Sequence, residues 1–286
     1  MTQAVDHIFQ SDSVDSRMPS LSRSGQVSIH DADGVDHLGG SRELHVVAEL
    51  PLKIIVDGFE LVTLMTMGSH PEILVLGYLR NQTLFESPQE IASIEVNWSS
   101  NEALVTTQNG EGLKHVNVEQ RTVTTGCGQG TILSCTLDKL YDYRVVQTPI
   151  KQSDIYRVLA SMSAFNQAYR AAGSVHGCGL FKDGQVLLFV EDVGRHNAMD
   201  AIAGEMWFKE ISPDGAFIYT TGRLTSEMVM KAALMGISVL ISRNGTTFMG
   251  QELAVELGVM LIARAKGRQF TAFNADHLVF DAVPTP

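Results

Sequence analysis

"AFIYTTGRLTSEMVMKAALMGISVLISRN" (216–244) holds two apolar runs of strand length, separated by a glycine-containing turn and a helix-period segment. The segment from 225 to 235 reads as a helix. A strand, a helix and a strand in that order form a βαβ unit, whose crossover places the strands parallel. Working outward, "VLLFVEDV" (186–193) with a helix over about 197–208 precedes this unit. A helix over 247–257, then "VMLIARA" (259–265) and "RQFTAFN" (268–274), follow it. Together they predict an α/β fold with a mixed, mostly parallel sheet sandwiched by helices.

Upstream, "SDIYRVLASMSAFNQAYRAAG" (153–173) reads as an amphipathic helix with Ile155, Leu159, Met162 and Phe165 on one side, and opens the second domain. Before it, "TLDKLYDYRVVQTP" (136–149) reads as a connector. The preceding region is β-rich: "ELHVVAEL" (43–50), "KIIVDGFELVTL" (53–64), "IASIEVNW" (91–98), "EALVTTQ" (102–108) and "HVNVEQRTVTT" (115–125). Asp57-Gly58 is a two-residue hairpin signal. Ser69, Pro71 and Glu72 read as the capped start of a helix running to about Asn81. The expected organisation is a disordered arm over 1–40, a smaller β-rich α+β region over 41–148, and the larger α/β domain over 149–286.

The chain has 286 residues, 44% of them hydrophobic, enough for a sizeable core. A net charge of −11 argues against a general nucleic-acid or membrane-surface binder, so an anionic ligand must be held by local groups. Three cysteines make no disulfide framework, the arm lacks the apolar stretch of a secretory signal, and no run reaches membrane-spanning length. A cytoplasmic, soluble protein is expected.

Three successive strand-to-helix junctions each carry glycine, hydroxyl or amide side chains and one arginine: "EDVGRHN" (191–197), "YTTGRLTS" (219–226) and "SRNGTT" (242–247). Strand carboxyl ends are where open α/β sheets bind ligands, and helix N-termini there offer free N–H groups to anions. Arg195, Arg223 and Arg243 would then grip a phosphorylated ligand while Gly222 lets the main chain come close. Neither a Walker A loop nor a GxGxxG fingerprint is present, so the ligand is not fixed by motif. Each junction taken alone could instead be a turn whose arginine pairs with surface carboxylates.

"EDVGRHNAMDAIAG" (191–204), "TTGRLTSEMVMKAALMGISVLIS" (220–242), "ELAVELGVMLIARAKGRQFTAFN" (252–274) and "TGCG" (125–128) resemble the FdhD/NarQ family of formate dehydrogenase accessory proteins, over roughly 43–275. The resemblance implies a sulfurtransferase: a sulfur carrier that takes sulfur from a cysteine desulfurase as a persulfide and passes it to the molybdenum of bis(molybdopterin guanine dinucleotide) before that cofactor enters formate dehydrogenase. It further implies a larger domain like that of cytidine deaminases, a homodimer and no permanently bound metal. The family's persulfide cysteine falls on Cys127. Its cofactor-binding stretch falls on Arg264, Ala265, Lys266, Gly267, Arg268 and Gln269, and the junction residues Arg195, His196, Gly222 and Arg223 are assigned to the same ligand. Where the family places an aromatic residue, this chain has Arg264, so ring stacking would become guanidinium stacking or a phosphate contact.

The family loop has Cys-x-x-Cys, whereas this chain reads Cys127-Gly128-Gln129-Gly130. A second thiol could resolve a persulfide into a disulfide, so its loss limits how the loop is reset without removing acceptor chemistry. Gly126, Gly128 and Gly130 leave Cys127 reachable, and His176, Arg195 and His196 are the candidates for lowering its pKa. Cys135 and Cys178 sit in apolar stretches and read as buried. Glu191 and Asp192 read as structural anchors rather than an acid/base pair. Met228, Met230 and Met235 read as helix packing. Zinc deaminase chemistry needs H-x-E with P-C-x-x-C, and the latter is missing. A non-catalytic chaperone of the molybdenum cofactor is the first alternative, and a zinc-free relative of nucleoside deaminases with another activity the second.

Overall fold

The computed structural model describes residues 17–27, 29–113, 121–123, 131–133 and 144–281. Cys127 and Cys135, and the arm before residue 17, lie outside the described residues. In chain order the strands are β1 (Ser20–Leu21), the hairpin β2–β3 (Ile29–Val35, Ser41–Val47), β4 (Leu50–Val56), β5 (Phe59–Thr66), β6 (Ile91–Asn97), β7 (Glu102–Thr107), the pair β8–β9 (Arg121–Val123, Thr131–Leu133), β10 (Ile150–Lys151), β11 (His176–Lys182), β12 (Gln185–Asp192), β13 (Phe217–Thr220), β14 (Val239–Ser242), β15 (Met260–Lys266), β16 (Gln269–Phe273) and β17 (Leu278–Val279). The helices are α1 (Pro71–Asn81), α2 (Gln152–Phe165), α3 (Gln167–Ala172), α4 (Arg195–Phe208), α5 (Ser226–Leu234) and α6 (Phe248–Leu257).

The smaller sheet runs in the order β1-β6-β7-β4-β5. Asp57 (φ 43°) and Gly58 (φ 84°) both adopt positive φ between β4 and β5, as the Asp-Gly pair predicts. Leu52, Ile54 and Val56 alternate inward from β4. Within the arm expected to be disordered through residue 40, Ser20–Leu21 and Ile29–Val35 form strands β1 and β2. β1 pairs parallel with β6, and the Ser22 and Ser24 hydroxyls donate to Glu72 Oε1 at 2.6 and 2.8 Å. A composition rich in Ser and Asp hides this, because here the serines satisfy a buried carboxylate. Glu72 is therefore no partner of Ser69. That hydroxyl donates to the Glu191 carbonyl, and α1 begins after His70 without a side-chain cap.

The larger sheet has the order β12-β11-β13-β14-β15-β16. Only β13–β14 and β14–β15 pair in parallel, and the other three pairings are antiparallel. The expected "mostly parallel" sheet is thus a mixed one with a parallel centre. The difference comes from β11, "HGCGLFK", whose two glycines weaken its strand pattern. The helix expected over 153–173 also breaks, at Asn166, into α2 and α3.

Helices cover both faces of this sheet. On one, Ile155, Val158 and Met162 of α2 meet Phe181, Phe189 and Phe217. On the other, one continuous core runs from Leu52 and Ile54 through Leu76 and Leu79 to Ile202, Met228 and Leu240. The two sequence regions therefore share a core, and α1 packs on α4 with almost no side chain between them. A Cβ on Gly77 would lie 1.7 Å from the Asp200 carbonyl oxygen, and one on Gly204 2.1 Å from that of Ile73. No described helix is long and apolar enough to cross a membrane.

Candidate functional site

β12 runs in the same direction as β13, β14 and β15, with the antiparallel β11 inserted beside it. The junctions at 193–194, 221–225 and 243–247, the start of β11 at His176, and the turn after β15 therefore gather at one sheet edge, as the motif spacing predicts. Hydrogen bonds lace them together. Thr221 N donates to the Gly177 carbonyl at 2.9 Å, Asn244 Nδ2 to that of Thr221 at 2.6 Å, and Ser242 Oγ to that of Gly222 at 2.5 Å. Arg264 N donates to the Asn244 carbonyl at 2.8 Å, tying in the end of β15. Thr247 caps α6, accepting from Gly250 N at 3.1 Å.

Arg195 is the first residue of α4 and is only 4% exposed. Its aliphatic stem lies on Gly222, where a Cβ would come within 2.6 Å of Arg195 Cδ, so glycine is required there. Arg195 Nε and Nη2 have no hydrogen-bond partner among the described residues. A buried guanidinium without a carboxylate is costly, and it is the arrangement that an anionic ligand satisfies.

His196, 8% exposed, has Nδ1 3.3 Å from Glu227 Oε1 with no hydrogen bond between them, and neither ring nitrogen has a hydrogen-bond partner among the described residues. The same oxygen lies 3.5 Å from Lys231 Nζ, which sits 2.7 Å from Asp200 Oδ2, and Asn81 Nδ2 donates to Asp200 Oδ1 at 2.8 Å. Burial, then the charges of Lys231 and Arg195, hold His196 well below the usual imidazole range. Burial and the same kind of repulsion, from Arg195 and Arg223, lower His176 as well. Burial disfavours the Lys231 ammonium, but Asp200 and Glu227 outweigh it and hold the pKa above the ordinary value. The edge thus presents neutral imidazoles beside fixed cations. The fixed cations have the sign an anionic ligand needs.

The remaining expected residues differ in setting. Arg223 and Arg243 are exposed, and the Arg243 guanidinium lies 5.8 Å from the Tyr169 ring centroid. In the 264–269 stretch, which ends β15, turns at Gly267-Arg268 and begins β16, Arg264 and Gly267 have φ of 53° and 59°; Arg264, Lys266, Gly267, Arg268 and Gln269 are exposed. Arg268 lies over Tyr156 at 5.7 Å. Ala265 is different: its methyl group is buried in the α2-side core, so this position serves packing and offers a ligand no side-chain contact.

Glu191 and Asp192 anchor structure, as their sequence reading holds, through partners other than Arg195 and His196. Glu191 accepts from the Ala168 and Tyr169 N–H groups, both at 2.8 Å, at the start of α3. Asp192 accepts from Gly194 N, Asn197 Nδ2 and Thr66 Oγ1, joining the α4 turn to the smaller sheet. Burial raises the pKa of both. Cys178 is fully buried, 3.9 Å from Met199 Sδ, and burial pushes its thiol far up, so it is no substitute for a reactive cysteine. Met228, Met230 and Met235 are buried packing residues. Sequence reading misses Glu227, Lys231 and Asp200, although Glu227 and Lys231 stand four apart in an otherwise apolar helix, a spacing that brings side chains together.

A profile of the FdhD/NarQ family matches residues 47–279. The sulfur carrier protein FdhD of Bacillus pumilus is 28% identical over 234 residues, covering 80% of this chain and 88% of that protein. That of Wolinella succinogenes is 27% identical over 252 residues, covering 84% and 86%. A crystal structure from Desulfotalea psychrophila, described as a formate dehydrogenase accessory protein, superposes with a TM-score of 0.71 at 24% identity, over 88% of this chain and 99% of its own.

Proposed function

From the premise that the chain belongs to the FdhD/NarQ family, we propose that it is a sulfur carrier serving formate dehydrogenase, with the carboxyl edge of its larger sheet as the seat of the receiving cofactor. Cys127 takes the sulfur: its thiolate attacks the outer sulfur of a persulfide on a cysteine desulfurase, a new S–S bond forms, and the donor's own thiolate leaves. The S–S bond of the persulfide then breaks: Cys127 leaves as thiolate, and the outer sulfur passes to a reduced molybdenum of bis(molybdopterin guanine dinucleotide), which gives up two electrons as the sulfur becomes its sulfido ligand.

The observation that carries this reading is Arg195, buried, resting on Gly222 and unpartnered at Nε and Nη2 among the described residues. Charge-assisted bonds from a guanidinium suit a diphosphate, and the helix N-termini at the same edge add N–H donors. The likeness of the larger domain to cytidine deaminases, a homodimer and a cytoplasmic location belong to the same proposal.

Incubation with a cysteine desulfurase and cysteine tests the carrier step. Peptide mass spectrometry should find one added sulfur on Cys127, and Cys127→Ala should leave formate dehydrogenase inactive while GDP still binds. Full activation by the alanine variant would instead identify a chaperone of the cofactor that moves no sulfur.

A further inference from the structure

α4 and α5 both begin at the carboxyl edge of the larger sheet, so both end on the far side of the helical layer, where the last turn of α1 meets them. The three C-termini converge on one cavity of about 420 Å³, lined by Arg80 of α1, Met206 and Trp207 of α4, Glu210 just past it, and Met235 and Gly236 behind α5. Helix C-termini carry unpaired carbonyls and about half a unit of negative charge each, so their meeting favours a cation. α1 brings its own in Arg80. α4 has no basic residue in its last turn, Lys209 behind it is held by Glu205 at 2.9 Å, and Lys231 of α5 turns inward onto Asp200.

The rim adds to this field instead of cancelling it. Glu86 and Glu210 both line the cavity and are exposed, and neither carboxylate has a hydrogen-bond or ion-pair partner among the described residues. Glu210 also occupies an unusual position. α4 closes in a Schellman turn, with Ile211 N donating to the Met206 carbonyl at 2.8 Å and Glu210 at φ 52°. α5 closes in the same way, Ile237 N donating to the Ala232 carbonyl at 2.9 Å, but with Gly236 at the left-handed position, φ 76°. Glycine adopts that conformation freely, whereas a residue with a Cβ is strained in it. At the end of α4 the chain gives up that stability and keeps a carboxylate at the cavity.

The floor is apolar and aromatic: Met206 and Met235 are buried and Trp207 is half-buried. An indole face attracts cations, and the methionines suit an alkyl stem. We propose that this cavity binds an organic cation, a guanidinium or ammonium group on an apolar stem, with its head toward Glu86 and Glu210 and its stem against Trp207 and the two methionines. The site goes beyond the carrier role and depends on none of its steps. A free alkyl cation and the arginine or lysine side chain of a partner protein share this chemistry.

Nitrogen-15 NMR of the tryptophan-labelled full chain tests the site. The chain has two tryptophans, and the Trp98 indole N–H is engaged elsewhere, donating to the Ser24 carbonyl at 2.8 Å. n-Butylguanidinium should shift the Trp207 indole signal saturably and leave that of Trp98 in place, while pentanol and pentanoate, with neutral and negative heads, should not. Glu210→Gly should weaken butylguanidinium about tenfold, the worth of one hydrogen bond to a charged group. The same variant should raise the melting temperature by about 2 °C, because glycine fits the turn. Glu86→Gln should show the loss of affinity without the gain in stability. An acetylated and amidated Leu-Arg-Leu peptide distinguishes the sources: tighter binding than butylguanidinium marks a partner's side chain, and equal or weaker binding marks a free cation.

No saturable shift at Trp207, a response to pentanoate equal to that of the cation, or full affinity in both glutamate variants overturns the proposal.

Discussion

Two stretches at the same sheet edge carry basic residues and glycines, yet the fold treats them differently. Arg195 and His196 are buried, laced by neighbouring loops and backed by Glu227 and Lys231. The 264–269 turn is exposed apart from Ala265, and its Arg268 rests on Tyr156. A cation already lying on an aromatic ring in water gains little from one more contact, whereas a buried cation lacking a partner gains a great deal. The first stretch is therefore buried with unsatisfied donors and the second an exposed rim.

The contrast would break most visibly at Arg195. Arg195→Ala should weaken GDP binding by about 1.5–3 kcal/mol, roughly 10- to 100-fold by calorimetry, since it removes a charge-assisted bond from a buried site. Gly222→Ala sharpens the same point through shape. Its methyl group would sit 2.6 Å from Arg195 Cδ, so the guanidinium must move, and affinity should drop about tenfold although no polar group is deleted.

A pH titration probes the burial half of the contrast. The folded pKa of His196 lies below its ordinary value of 6.5. Its contribution is intact above that pH and is lost as pH falls toward the folded pKa, because the unfolded chain takes up a proton that the folded one refuses. The loss approaches 1.4 kcal/mol per pH unit at most, about what one bound proton is worth. Asp192 and Glu191, with raised pKa values, act in the opposite sense as pH falls. The quantity to measure is the difference between wild type and His196→Gln: thermal melts from about pH 7 to 5 should converge as acidity rises. At the rim the effect should be smallest: Arg268→Ala should change GDP affinity less than about threefold, as exposed pairs usually do.

The three junctions were legible because strand, glycine, arginine and helix follow one another within a few residues, and βαβ handedness then fixes the edge they share. The hairpin at Asp57-Gly58 was legible for a similarly local reason. What escaped depends on distant partners. Ser22 and Ser24 look like arm composition until Glu72 is placed beside them, and the two glycines of β11 leave its strand pattern weak until β12 and β13 flank it. Glu227 and Lys231 have no local signal beyond their spacing of four, and only the fold buries them. The family resemblance located the 264–269 stretch but had no means of showing that Ala265 points into the core.

A structure of the protein with GDP tests the central claim most directly. The account predicts the diphosphate within hydrogen-bonding distance of Arg195 Nε and Nη2, over Gly222 and against the N-terminus of α4. A nucleotide held by the 264–269 turn alone, with the Arg195 guanidinium still unpartnered, would contradict it.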